Sequence, residues 1–128
     1  MAAVLIVDDD DIVRDTLFEL FSEDHLCHTA DTAETAINFL QLETYDVVLT
    51  DISMPGLSGL ELLGHIRQHR PETAVIIISG IGDHAHAEGL IKLGAFDYIL
   101  KPFRLESVEA SVSRAIEEGR QRRMQSEG

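Results

Sequence analysis

The first apolar block of the chain, Ala3-Val4-Leu5-Ile6-Val7, contains no polar position, and Val47-Val48-Leu49 and Ala74-Val75-Ile76-Ile77-Ile78 repeat that character. Strands apolar on both sides are those covered on both faces, as in parallel sheets, so helices should flank them. The spacing between blocks changes accordingly. Ile12, Val13, Leu17, Leu20 and Phe21 recur at near-helical intervals among Arg14, Asp15 and Glu19, which predicts an amphipathic helix capped by Asp10 or Asp11. A short strand is expected around Leu26 to Ala30. Asp31 and Thr32 then open a second helix that buries Ala33, Ala36, Ile37 and Leu40.

After Asp46-Val47-Val48-Leu49-Thr50-Asp51, the stretch Ser58-Gly59-Leu60-Glu61 matches a capping box for a helix with Leu60, Leu63 and Ile66 inward, ended by Pro71. Asp83 to Leu93 reads as a helix stopped by Gly94, Phe96 to Leu100 as a last strand, and Leu105, Val108, Val112, Ala115 and Ile116 as the face of a last helix. Five strands alternating with five helices through short connections predict an α/β fold with a single right-handed, doubly wound parallel sheet. Strand order 2-1-3-4-5 would set the first and third strands side by side.

Composition narrows the function. The 128 residues suit one compact domain. The lone Cys27 supports neither a disulfide framework nor a cysteine zinc site, and reads as a small core hydrophobe. No apolar run approaches the roughly 20 residues that span a bilayer, and the N-terminus lacks a signal-peptide pattern, so a cytoplasmic protein is expected. The net charge of −13 repels nucleic-acid backbones and anionic lipid, and favours a cation as ligand. Only residues 120–128, with Arg120, Arg122 and Arg123, reverse the sign locally; they read as a frayed helix end, tail or linker after a domain over 1–119.

In doubly wound sheets ligands bind at the carboxyl ends of the strands. The residues there are Asp8 and Asp9, Asp51, Ser79 and Lys101. Three carboxylates a few ångströms apart repel by roughly 3–4 kcal/mol per pair at an effective dielectric of about 20. Mg²⁺ fits such hard oxygen ligands, with Mn²⁺ an acceptable substitute. Asp10 and Asp11 are accounted for by helix capping; Asp8 and Asp9 lie too early for it.

Four segments, Leu5-Ile6-Val7-Asp8-Asp9-Asp10, Asp51-Ile52-Ser53-Met54-Pro55-Gly56, Ser79-Gly80 and Gly94 to Phe103, occur in the order and at the separations of a known family. From Val4 to about Ile116 the chain resembles the receiver domain of two-component response regulators. The resemblance implies a flavodoxin-like fold in which Asp51 takes a phosphoryl group from a phosphohistidine of a sensor histidine kinase or phosphotransfer protein. It also implies that Asp8, Asp9, Asp51 and the backbone carbonyl of Ser53 hold Mg²⁺. Lys101 would support the phosphoryl group, with a cis bond to Pro102. Ser79 and Tyr98 would form a switch, and Ser53 and Ile81 would tune dephosphorylation. Output would pass through the fourth helix, fifth strand and fifth helix to an attached domain, a partner, or a phosphorylation-dependent homodimer.

Other readings are weaker. Gly80-Ile81-Gly82-Asp83-His84-Ala85 fits a loose dinucleotide pattern on the wrong strand, and no P-loop occurs. His65 and His69 lie four apart on a helix with no third ligand evident, and read, like His84 and His86, as solvated surface residues. A small aspartyl-phosphate phosphatase would need an acid where Ser53 stands, so the chain is not expected to be an enzyme. A scaffold that is never phosphorylated would not need the complete set of Asp8, Asp9, Asp51, Ser79 and Lys101.

Overall fold

The computed structural model describes residues 1–80 and 89–127. Its elements are β1 (Ala3–Val7), α1 (Asp11–Ser22), β2 (Leu26–Ala30), α2 (Ala33–Leu42), β3 (Val47–Asp51), α3 (Gly59–His69), β4 (Ala74–Ser79), a helical turn at residues 89–92 (α4), β5 (Asp97–Leu100) and α5 (Leu105–Glu127). The strands form one sheet in the order β2-β1-β3-β4-β5, and every pairing is parallel. The doubly wound parallel sheet is the one the hydrophobic pattern predicts, and the strand order is the 2-1-3-4-5 expected with it.

Alternate side chains of each strand feed opposite cores, as the two-residue repeat requires. Leu5, Val7, Val48, Val75 and Ile77 meet Ala33, Ala36 and Leu40 of α2 and Leu62, Leu63 and Ile66 of α3. Val4, Ile6, Val47, Leu49, Ile76 and Ile78 meet Leu17 and Phe21 of α1 and Val108, Val112 and Ala115 of α5. Each fully buried Leu or Ile side chain contributes about 1.5–3 kcal/mol relative to exposure. Cys27 is buried in the second core.

Local signals place the helix starts. Asp10 caps α1 by accepting from the Ile12 and Val13 amides, Thr32 caps α2, and Ser58 with Glu61 closes the capping box of α3. Two inward assignments are corrected. Ile12 is 77% exposed, lying about 140° around the helix axis from buried Leu17, and Leu60 is 43% exposed, about 60° beyond buried Leu63 at the rim of the covered arc that holds Leu62 and Ile66. Near-helical spacing defines a stripe, and residues more than about 100° from its centre fall outside it even when they are apolar. The part of the expected fourth helix at Asp83 to Glu88 lies outside the described residues, as do Ile81, His84 and His86.

At 23 residues α5 is about 34 Å long at 1.5 Å per residue, twice the length of the strands it covers. It continues through the basic stretch, where Arg123 Nη1 lies 3.4 Å from Asp46 Oδ1 at the foot of β3. Both groups are partly solvated, so the pair adds well under about 1 kcal/mol.

Candidate functional site

Register brings the strand ends together. β1 and β3 are adjacent, β3 pairs Asp51 with Ile78, and β4 pairs Ser79 with Leu100, so Asp8, Asp51, Ser79 and Lys101 all fall at one edge of the sheet. Carboxylate oxygens of Asp8, Asp9 and Asp51 lie within 4.8 Å of one another. Asp8 and Asp51 are buried and Asp9 is exposed, which makes a cluster open on one side.

Each acid is aimed by the backbone beside it. Asp8 Oδ1 accepts from the Asp10 amide at 2.9 Å, and Asp51 Oδ1 accepts from the Ser53 amide at 2.9 Å. The second oxygen of Asp51 accepts from Lys101 Nζ at 2.7 Å. Asp8 Oδ2 lies 3.5 Å from the same ammonium, yet it is a buried side-chain atom with no hydrogen-bond partner, alone in this among the described residues. A buried carboxylate oxygen without a donor is costly unless something else neutralises it.

The charges respond to this crowding. Burial raises the pKa of Asp8 above its ordinary value; the Asp10 amide and Lys101 oppose the rise, and Asp51 and Asp9 reinforce it. For Lys101 burial works to lower the pKa, but the hydrogen bond and charge of Asp51, with the charge of Asp8, outweigh it and hold the ammonium above its ordinary value. The lysine reaches the acids from the residue after β5, and its bond to Pro102 is cis. Its backbone amide donates to the Ser79 carbonyl at 2.7 Å, tying the ends of β4 and β5.

Ser79 is buried at the end of β4, and half-buried Tyr98 packs against the core shared with α2 and α3. Ser53 is exposed on the loop after β3. Two residues that sequence patterning passed over also shape the site. Arg14 Nη1 donates to the backbone carbonyl of Asp8 at 2.8 Å and its other nitrogen pairs with Asp11, so α1 clamps the loop carrying the acids. At Gly59 a Cβ would come within 2.1 Å of the Asp51 carbonyl oxygen and 2.7 Å of Ile52 Cα; only glycine lets α3 start this close to the central acid. The arginine could have been sought from its three-residue spacing to Asp11; the glycine carried no signal beyond following a capping serine.

A doubly wound sheet with three clustered carboxylates and one ammonium at the ends of its strands defines a class of acidic strand-end sites whose donors suit a hard divalent cation. The chain matches the model of the response regulator receiver domain over residues 4–113 and belongs to that family. It is 39% identical to the transcriptional regulatory protein FixJ of Azorhizobium caulinodans, over 97% of this chain and 61% of FixJ. It is 40% identical to the DNA-binding transcriptional regulator NtrC of Klebsiella pneumoniae, over 87% of this chain and 24% of NtrC. Among solved structures, a response regulator receiver domain protein from Clostridium thermocellum superposes with a TM-score of 0.88 at 31% identity, covering 94% of this chain and 98% of that one. The chain thus spans about a quarter of NtrC and three-fifths of FixJ.

Membership makes this a signalling domain of a two-component system, in a family whose function is phosphorylation at an aspartate and whose acidic cluster binds Mg²⁺. The present residues fit such an ion: all three residues offer hard carboxylate oxygens, and Asp8 carries a buried oxygen, Oδ2, without a hydrogen-bond partner. Among the described residues, no helix is long and apolar enough to cross a membrane.

Proposed function

We propose that Asp51 is the phosphoacceptor. A carboxylate oxygen of Asp51 attacks the phosphorus of a phosphohistidine on a sensor histidine kinase or phosphotransfer protein; the P–N bond breaks, its electron pair returns to the imidazole, and an acyl phosphate forms on Asp51. The observation that carries this reading is the 2.7 Å contact between Lys101 and the carboxylate at the end of β3. Phosphoryl transfer needs in-line positioning and cancellation of charge on the equatorial oxygens, and a fixed ammonium beside the attacking group provides part of both.

Asp8, Asp9, Asp51 and the Ser53 carbonyl would hold Mg²⁺, or Mn²⁺ in its place. When bound, the ion supplies further charge cancellation on the phosphoryl oxygens. Arg14 and the Asp10 amide keep Asp8 oriented, and the Ser53 amide fixes one oxygen of Asp51 so that the other faces Lys101. After transfer, Ser79 would bond the attached group and Tyr98 would turn inward, remodelling the surface of α4, β5 and α5. Output is a partner or attached domain that reads this surface, or a homodimer formed on phosphorylation. The names of FixJ and NtrC support a transcriptional output, with no direct nucleic-acid or membrane binding by this acidic domain. We place the domain at 1–119, with 120–128 as tail or linker, in the cytoplasm, and without turnover as an enzyme. The complete set of site residues favours this reading over a scaffold that is never phosphorylated.

Intact mass after incubation with a small acyl phosphate donor tests the proposal. One phosphoryl group should be gained, dependent on divalent metal and absent in Asp51→Asn. No gain with Mg²⁺ or Mn²⁺ would overturn it. Loss of the group should then be faster in Ile81→Asn than in wild type if apolar Ile81 hinders water; an equal rate would remove Ile81 from that role.

A further inference from the structure

At the other end of α3 from Asp51, two imidazoles stand together. His65 and His69, one turn apart, have ring centroids 4.4 Å apart and an interplanar angle of 38°. They line an open cavity of about 320 Å³ with Leu40, Gln41 and Arg70, in the groove where the last turn of α2 meets the last turns of α3. His65 is half-buried and His69 exposed, and among the described residues neither ring has a hydrogen-bond partner.

We propose that His65 and His69 chelate a borderline divalent transition-metal ion, Zn²⁺ or the tighter-binding Cu²⁺, with the Gln41 amide as third protein donor and water completing the shell. Imidazole nitrogens four residues apart on one helix face are a recurrent pair for such ions, and they discriminate against Mg²⁺, which prefers oxygen. The structure adds what sequence spacing lacked: the two rings lie against one another, and Gln41 of α2, whose side chain carries a neutral amide oxygen, lines the same cavity. Arg70 opposes a cation here, but its Nε is engaged with the Leu40 carbonyl at 3.0 Å, and the protein's net charge of −13 favours cations overall. The ion would tie α2 to α3.

This site is independent of the carboxylate cluster. Gly59, at the start of α3, touches the Asp51 strand end, and ten residues of helix put His69 about 15 Å further along the axis. The two sites also differ in donor chemistry, oxygen against nitrogen.

The test is calorimetric titration of ZnCl₂ into the protein at pH 7.5 in excess Mg²⁺, for wild type, His69→Ala, Gln41→Ala and Asp51→Asn, with Cu²⁺ electron paramagnetic resonance to count nitrogen ligands. Wild type and Asp51→Asn should bind equally, and Cu²⁺ should show two nitrogen ligands. In His69→Ala the Kd should rise on the order of tenfold or more, since loss of a ligand costs at least as much as loss of a partner behind one. Exposed His69 tolerates alanine, so its fold can be checked by circular dichroism. Gln41→Ala should weaken binding less; an unchanged Kd would remove Gln41 from the site. Absence of Zn²⁺ binding in wild type, an unchanged Kd in His69→Ala, or loss of binding in Asp51→Asn would overturn the proposal.

Discussion

Replacing Asp8 by Asn should make the metal-free protein more stable while abolishing its response to Mg²⁺. In wild type the buried carboxylate is attracted to Lys101 at 3.5 Å by about 5 kcal/mol at an effective dielectric of about 20. Against this, Asp51 within 4.8 Å repels it by about 3.5 kcal/mol, and exposed, water-screened Asp9 by about 1 kcal/mol. These Coulomb contributions nearly cancel, so desolvation decides. Burying one ion costs several kcal/mol, and the Asp10 amide recovers only part of it. Asparagine keeps that hydrogen bond in weaker form and removes the charge, giving a net gain of about 1–3 kcal/mol.

The raised pKa of Asp8 gives the same sign. The folded state binds this proton more tightly than the unfolded chain, so the contribution of Asp8 to metal-free stability, read as the difference between wild type and Asp8→Asn, should fall as pH rises from about 3.8 through the elevated folded value, and level off above it. Urea unfolding in EDTA across pH 4 to 7.5, and in Mg²⁺ at pH 7.5, for wild type and Asp8→Asn, measures all of this. Wild type should be the less stable in EDTA and should gain from Mg²⁺ by ligand linkage, while the variant should gain little. An Asp8→Asn protein less stable than wild type in EDTA, or equally stabilised by Mg²⁺, would refute the reasoning.

Three further outcomes follow from the geometry. Gly59→Ala should destabilise by about 1–3 kcal/mol or more, because its Cβ meets backbone that cannot yield, and should weaken Mg²⁺ binding as the loop after β3 shifts; an unchanged urea midpoint would contradict the contact. Lys101→Met leaves Asp51 and Asp8 without their shared cation and should lower metal-free stability by about 3–5 kcal/mol, partly restored by Mg²⁺; a neutral effect in EDTA would show that the ammonium does not offset the acids. Buried Tyr45 has its hydroxyl 2.6 Å from His28 Nδ1, and burial followed by the charge of Glu43 pushes its pKa up to about 12. Tyr45→Phe should cost about 1–2 kcal/mol by calorimetry, and a thermal midpoint equal to wild type would rule out that bond as a stabilising one.

Much of this protein is written locally. Unbroken apolar strands state that both faces are covered; Asp10, Thr32 and the Ser58–Glu61 box state where helices begin; and an acid, serine or lysine placed just where each apolar run stops marks the working edge of the sheet. These are legible because each depends on a residue and its near neighbours along the chain. Ile12 and Leu60 misled because an apolar residue was read into the stripe from near-helical spacing alone, whereas the angle around the axis puts Ile12 about 140° from Leu17 and Leu60 at the rim of the buried arc of α3.

Contacts between segments distant in sequence were decided only by the fold. The amino acids at positions 8, 9, 51 and 101 fix the charges available, but adjacency of β1 to β3 and the register of β4 with β5 bring Asp8 and Asp51 to one ammonium and leave one buried oxygen without a donor. The same holds for Arg14 on the Asp8 carbonyl, for α3 against the Asp51 peptide where only Gly59 fits, and for Gln41 beside the two histidines. The chain determines by itself which surfaces must be buried, because hydrophobic periodicity is a one-dimensional property. Which charges then share a space is set by packing in three dimensions, where an ångström decides whether a carboxylate is paired, repelled or left waiting for a cation.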